Sequence, residues 1–180
     1  MEILSNNMGF SAYIYLVEQL MVKNYYWWVN FVWKGMLPLK IKCFTWLCFK
    51  RRILTWDGLQ MRGYSGPGRC CLCAIALETM DHFFGDCKFF LYIWKEVCKS
   101  LNVGFTWDKS CLEANIFCLH NLHSLSADIP YFVLWEVWGV KNIFIFQEGY
   151  TDPLHVSIRV IYRINDHGCL AMNPNTINIC

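Results

Sequence analysis

Cys70, Cys73, His82 and Cys87 have the types and the spacing to hold a metal ion, and they form the run C-x2-C-x8-H-x4-C. Two cysteines separated by two residues can both face one ion from a tight turn, and zinc takes four nitrogen or sulfur ligands at the corners of a tetrahedron. His82 and Cys87 complete such a set. Four protein ligands leave no position open for water or substrate, so the expected chemistry is structural and not hydrolytic. One zinc ion held this way would couple metal binding to folding, with an apparent binding free energy of about 10–16 kcal/mol. Cys71 could replace either neighbouring cysteine, although the C-x2-C spacing favours Cys70 with Cys73. The competing reading is that these are ordinary core cysteines and a surface histidine close together in sequence. A second group, Cys111, Cys118, His120 and His123, lies in an apolar stretch without turn chemistry and is read as core and loop.

For the four residues to converge, the flanking chain must turn. Ser65-Gly66-Pro67-Gly68 reads as a turn that leads straight into the cysteines. Thr79 suits an N-cap, which places His82 in the first turn of a short helix that Gly85 ends, so that Cys87 swings back toward the turn. Upstream, Pro38 suits a first helical turn, and Ile41, Phe44, Leu47 and Cys48 form one apolar stripe on a helix ending near Arg52. Thr55 is expected to cap a short helix through Arg62, stopped by Gly63 in the left-handed conformation. Downstream, Phe90, Ile93, Trp94, Val97 and Leu101 predict a helix over 88–100, followed by a polar connection with Asn102 and Gly104. A further helix is expected over 130–147 with Gly149 as its stop. Residues 154–164 alternate as a strand would but also fit a helix, and both readings stay open.

The expected fold is mainly α: a small helical domain with a central zinc-knuckle-like turn and a helical C-terminal appendage. Its divisions are an N-terminal helical segment over 1–30, where Ile14, Val17, Glu18 and Met21 have roughly helical spacing, a zinc-binding domain over 31–100, an aromatic-rich helical appendage over 101–164, and a polar, unstructured tail over 165–180.

Hydrophobic residues make up 56% of the 180, enough to build a core. No uninterrupted apolar run approaches the ~18 residues of a membrane span, because Glu18, Lys23, Glu136 and Lys141 interrupt the candidates. Met1-Glu2 opens the chain without a basic region ahead of an apolar one, so no secretory signal is expected. Eleven cysteines then point to a reducing intracellular compartment, nucleus or cytoplasm. Cys43, Cys48, Cys98, Cys111 and Cys118 have apolar neighbours and read as buried, inert thiols.

Charge is uneven along the chain. Between Lys34 and Arg69, eight basic residues face the single acid Asp57, a local +7 against a total of +2. Lys40, Lys42, Lys50, Arg51, Arg52, Arg62 and Arg69 are therefore candidate contacts to the phosphates of RNA or single-stranded DNA. The plainer reading of Lys50-Arg51-Arg52 is a solvated helix end, complementing the helix dipole. Trp46 and Trp56 could stack on exposed bases, against the more usual role of such aromatics in core packing.

Beyond the ligand pattern, Val32-Trp33-Lys34, Leu37-Pro38-Leu39-Lys40-Ile41-Lys42 and Phe44-Thr45-Trp46 resemble the opening of the reverse-transcriptase zinc-binding domain family of plant non-LTR retrotransposon polyproteins. The likeness continues through Leu54-Thr55-Trp56-Asp57, Leu59-Gln60-Met61-Arg62-Gly63, the cysteines, Glu78-Thr79 and Ile93-Trp94. Trp135, Trp138, Lys141-Asn142 and Phe146 are similar to a tryptophan-rich stretch that follows this domain, with Lys141 where arginine is usual.

The resemblance implies a metal-binding segment between a polymerase and a ribonuclease H domain, with the element's nucleic acid and the polymerase domain as partners. The chain has no Asp-Asp pair to hold a polymerase's metal ions and no carboxylate cluster suited to a nuclease, so no enzyme is expected. A cysteine nucleophile, Cys73 or Cys87 beside a histidine, is better explained as a ligand. The alternative to nucleic-acid contact is a structural or protein-interaction remnant of a truncated retroelement.

Overall fold

Proline has no amide hydrogen to lose in a first helical turn. Pro38, with φ of −54°, accordingly stands immediately before the helix Leu39–Phe49. The computed structural model describes residues 27–172 apart from 67, 110 and 123–126. Among them, seven α-helices run in the order α1 (Trp27–Lys34), α2 (Leu39–Phe49), α3 (Trp56–Gln60), α4 (Lys88–Ser100), α5 (Leu112–Leu122), α6 (Ile129–Gln147) and α7 (Pro153–Met172). A π-helical turn, His82–Asp86, lies between α3 and α4. The described residues contain no strand, and their single β-bridge joins Arg69 to Leu77. The mainly α expectation holds. The helical reading of 1–26 lies outside the described residues.

Each long helix buries the face its sequence pattern offers. α2 turns Ile41, Phe44 and Cys48 inward, and α4 buries Phe89, Phe90, Ile93, Trp94, Val97 and Cys98. Burial of such side chains contributes roughly 1.5–3 kcal/mol each relative to exposure. α4 and α6 both pack on α7, and α2 packs on α6. Edge-to-face rings continue the contact: Phe44 meets Trp135 at 5.5 Å, Phe83 meets Trp138 at 6.0 Å, and Phe84 meets Phe90 at 5.9 Å. One hydrophobic core thus extends from Val32 to Val160, with residues from both sides of position 100 in it.

Several expectations change. Residues 154–164 form the first half of α7, not a strand, because Val156 and Val160 bury on one helical face. The tail expected to be unstructured from 165 continues this helix to Met172. His167, 3.4 Å from Asp128 and 5.3 Å from the Phe132 ring, anchors it to the start of α6. α5 falls within the appendage expected to be helical over 101–164, in the stretch around Cys111, Cys118 and His120 that was read as core and loop. The Asn115 side chain holds the turn before it, bonding the Asp108 and Cys111 carbonyls at 2.7 Å each. Cys43, expected to be buried, is exposed. α3 ends at Gln60 and not at Arg62, although Gly63 does take the left-handed conformation, φ +87°. At the end of α6 Glu148 is left-handed at φ 51°, while Gly149 is required for space, since a Cβ there would stand 2.7 Å from Ile143 Cγ2. Finally, α6 is long and apolar enough to cross a membrane by length and composition, with 56% of that window buried inside the protein.

Candidate metal centre

The chain approaches the four donors through a tightly closed turn. The Cys70 amide bonds the Ala76 carbonyl at 2.8 Å, the Ala74 amide bonds the Cys70 carbonyl at 2.8 Å, and the Glu78 amide bonds the Gly68 carbonyl at 2.8 Å. Ala74 takes φ 56°, which lets the turn double back within so few residues. Cys70 and Cys73 are carried on this loop.

His82 and Cys87 come from the π-turn. The Thr79 hydroxyl accepts the His82 amide at 3.0 Å, the capping bond its sequence position predicts. One residue more than an α-turn is then enclosed, and the Cys87 amide bonds the His82 carbonyl at 2.9 Å. Such π-turns are frequent at functional sites. Gly85 does not end the short helix as expected, since the turn runs on through it to Asp86. It permits a close approach, because a Cβ there would lie 2.6 Å from the Lys109 carbonyl oxygen.

The structure brings all four expected residues together: their ligand atoms lie within 4.8 Å of one another. Cys70 Sγ is 3.9 Å from Cys87 Sγ, and Cys73 Sγ is 3.2 Å from His82 Nε2. Tetrahedral zinc with Zn–S of about 2.3 Å and Zn–N of about 2.0–2.1 Å has edges of about 3.8 Å between sulfurs and about 3.5 Å between sulfur and nitrogen. The donor set and its spacing therefore suit one zinc ion. Contact with Cys87 lowers the Cys70 thiol to about 5, with help from the Cys73 and Leu72 amides and against burial. The same contact, and then burial, push Cys87 far upward. The two sulfurs thus compete over one proton, and a cation between them would let both be thiolates, the form that binds metal. Cys71 stands outside the group, its thiol pushed up to about 12 by burial and then by Glu78.

Asp86 was not singled out from sequence. Its Oδ1 lies 2.5 Å from His82 Nδ1, which selects the tautomer whose Nε2 lone pair faces the sulfurs. The i,i+4 spacing of a carboxylate after a candidate ligand histidine was the available signal. Glu78, part of the family resemblance, also serves α3: with no side-chain cap from Thr55, the Trp56 amide bonds Glu78 Oε1 at 3.2 Å instead. No second metal-ligand group occurs among the described residues, and His123 lies outside them. Cys118 is buried, and Cys111 Sγ accepts the Ala114 amide at 3.4 Å at the start of α5.

The seven candidate basic residues divide. Lys40 and Lys42 stand at the start of α2 and Lys50, Arg51 and Arg52 at its end, roughly 15 Å apart along the axis. Lys42 Nζ donates to the Trp33 carbonyl at 3.1 Å, and Lys40 Nζ lies 5.7 Å from the Trp135 ring centroid. Arg51 forms a two-pronged pair with Asp81 at 2.7 and 2.9 Å. Lys50 is half-buried. Arg52, Arg62 and Arg69 are exposed and have no ion pair among the described residues. Trp56 is half-buried against the turn before the cysteines, where a Cβ on Gly68 would meet its Cδ1 at 2.3 Å. Trp46 is 38% exposed, and Tyr64, which the sequence reading passed over, is 62% exposed.

Comparison with known proteins agrees with this centre. A profile of the family described as zinc-binding in reverse transcriptase matches residues 10–94. Over 144 residues, 74% of this chain, the sequence is 31% identical to an Arabidopsis thaliana protein named "Putative ribonuclease H protein". The matched region is 23% of that relative, so the chain spans under a quarter of its length. No solved structure matches the chain. All four donors fall within the stretch, residues 10–94, that matches the family of zinc-binding domains in reverse transcriptases.

Proposed function

We propose that this chain is a non-catalytic, zinc-stabilised module of a retroelement polyprotein that contacts RNA or single-stranded DNA, with Cys70, Cys73, His82 and Cys87 as ligands. The observation that carries this reading is the set of four protein donors within 4.8 Å of one another, which would complete a zinc ion's four ligands and leave no site for a reacting water. Bound zinc would supply a cross-link between the cysteine loop and the π-turn. The chain's own residues do the rest: Thr79 fixes the His82 backbone, Asp86 fixes its ring, and the Leu72, Cys73 and Phe90 amides stabilise thiolate at Cys70 and Cys87. Thiol ligands of this kind need reducing surroundings.

Phosphate contact is assigned to the exposed basic residues Arg52, Arg62 and Arg69, which have no ion pair among the described residues, with Lys50 as a further candidate and the exposed Tyr64 for stacking. Lys40, Lys42 and Arg51 are already engaged and contribute less.

The test measures zinc content and then binding of a single-stranded oligonucleotide across a salt series. Wild type is expected to hold one zinc, and Cys73→Ser and His82→Ala to lose it. Replacing Arg52, Arg62 and Arg69 together by glutamine removes up to three phosphate contacts, which lowers the slope of log K against log salt by about 2. An absence of binding at low salt, or an unchanged slope, would refute the nucleic-acid part. A second reading, a segment that braces a polymerase against a downstream domain, is favoured by Phe146 and Tyr150, both 79% exposed near the end of α6. Concentration-dependent association without nucleic-acid affinity would support it.

A further inference from the structure

Glu78 and Lys141 form an ion pair between side chains that are only 6% and 2% exposed. Neither belongs to the metal-ligand group, and 63 positions of sequence separate them. A charge so far from water is costly unless a partner neutralises it, and removing one partner strands the other.

What each residue holds is informative. The Glu78 amide closes the cysteine loop onto the Gly68 carbonyl, and the next residue, Thr79, caps the turn that carries His82. Glu78 is thereby fixed between the two ligand-bearing turns. Lys141 belongs to α6. Its Nζ also donates to the Leu54 carbonyl at 2.7 Å and lies 4.7 Å from the Trp138 ring centroid and 5.6 Å from that of Phe83 in the π-turn. If the loop opens and Glu78 moves, Lys141 is left in an aromatic seat without its counter-ion, and staying charged there, giving up its proton or leaving for water each weakens the seating of α6.

We propose that the Glu78–Lys141 pair couples zinc occupancy of the knuckle to docking of α6. The metal holds both turns in the register that presents Glu78, and Glu78 neutralises Lys141 where α6 must seat it. This rests on reading Cys70, Cys73, His82 and Cys87 as the zinc ligands. The metal-binding unit then extends past residue 94, and loss of zinc releases the face of α6 that carries Trp135 and Trp138. Coupling of this kind is reciprocal, so weakening the dock also weakens the metal.

The test uses the full chain and zinc itself. Hydrogen exchange read by mass spectrometry, with zinc saturating and after chelation, is expected to accelerate both in 70–87 and in 129–147 when the metal is withdrawn. Chelator competition is expected to give Lys141→Met a zinc affinity lower by about tenfold or more, in the range found for residues just outside a metal's ligands. Lys141→Arg keeps the charge and should retain most of the affinity. Protection of 129–147 that survives opening of 70–87 would overturn the coupling, as would wild-type affinity in Lys141→Met. If Lys141→Met does not fold, the exchange comparison on the unaltered chain decides alone. Failure of the ligand reading is a separate result: no zinc bound by wild type, or undiminished binding by Cys73→Ser.

Discussion

Replacing Asp86 by alanine tests whether the metal centre depends on more than its four donors. The Asp86 carboxylate meets His82 Nδ1 at 2.5 Å and leaves Nε2 directed at Cys73 Sγ, 3.2 Å away. Without it the imidazole can rotate or take the other tautomer, and each departure must be reversed before zinc is bound. A hydrogen bond to a charged group contributes about 1.5–3 kcal/mol, but the Asp86 side chain is 55% exposed, and water screens it toward the lower end. About 1.5 kcal/mol corresponds to a zinc dissociation constant raised about tenfold. Asp86→Asn keeps an acceptor oxygen without the charge and should fall between the two. The assay is competition against a chromophoric chelator at fixed pH, with circular dichroism at saturating zinc to establish that each variant is folded. A folded Asp86→Ala chain that holds zinc as tightly as wild type would refute the argument, and His82 would then be oriented by packing of the π-turn alone.

Two further predictions concern the scaffold. Gly85→Ala places a Cβ 2.6 Å from the Lys109 carbonyl oxygen, a backbone atom that cannot rotate away, so about 1–3 kcal/mol of stability should be lost in urea unfolding; an unchanged midpoint would mean the Lys109 loop yields freely. Glu136 is buried against both Arg159, at 2.5 Å, and Arg163, at 2.7 Å. Removing either arginine leaves the other in place and should cost little, whereas removing both strands the carboxylate and should cost about 3–5 kcal/mol, more than the two single effects together. Simple additivity in that cycle would show that Glu136 does not depend on the pair.

What could be read from the sequence was what local chemistry determines. The stripes on α2 and α4 follow from apolar residues at helical spacing, and Thr79 caps the His82 turn because the geometry of a first turn needs an acceptor there. The four donors were visible because their spacing is a property of two local turns. The parts that escaped depend on distant partners. Arg51 was counted as free charge, and its neutralisation by Asp81 comes from a residue thirty positions away. The last turns of α7 have a polar, aperiodic sequence and are held by His167 against Asp128 and Phe132. Gly85 is needed not as a helix stop but for the close approach of the Lys109 carbonyl, and such an approach leaves no local trace in the sequence.

The charged residues of α6 carry this reasoning furthest. In the sequence they only interrupt an apolar run and argue against a membrane span. In the fold each has a different task. At about 100° per residue, five positions separate Glu136 from Lys141 by roughly 140° around the helix, so they point to different sides. Glu136 accordingly faces Arg159 and Arg163 of α7, and Lys141 faces Glu78 beside the cysteine loop. Over 129–141 α6 is apolar and buried on most of its sides, and apolar contact alone discriminates poorly among rotations of such a segment. Two buried charges with partners on different sides allow only one rotation and one axial position, because any other leaves at least one of them unpaired. The pair nearer the metal sets that register at the point where the knuckle closes.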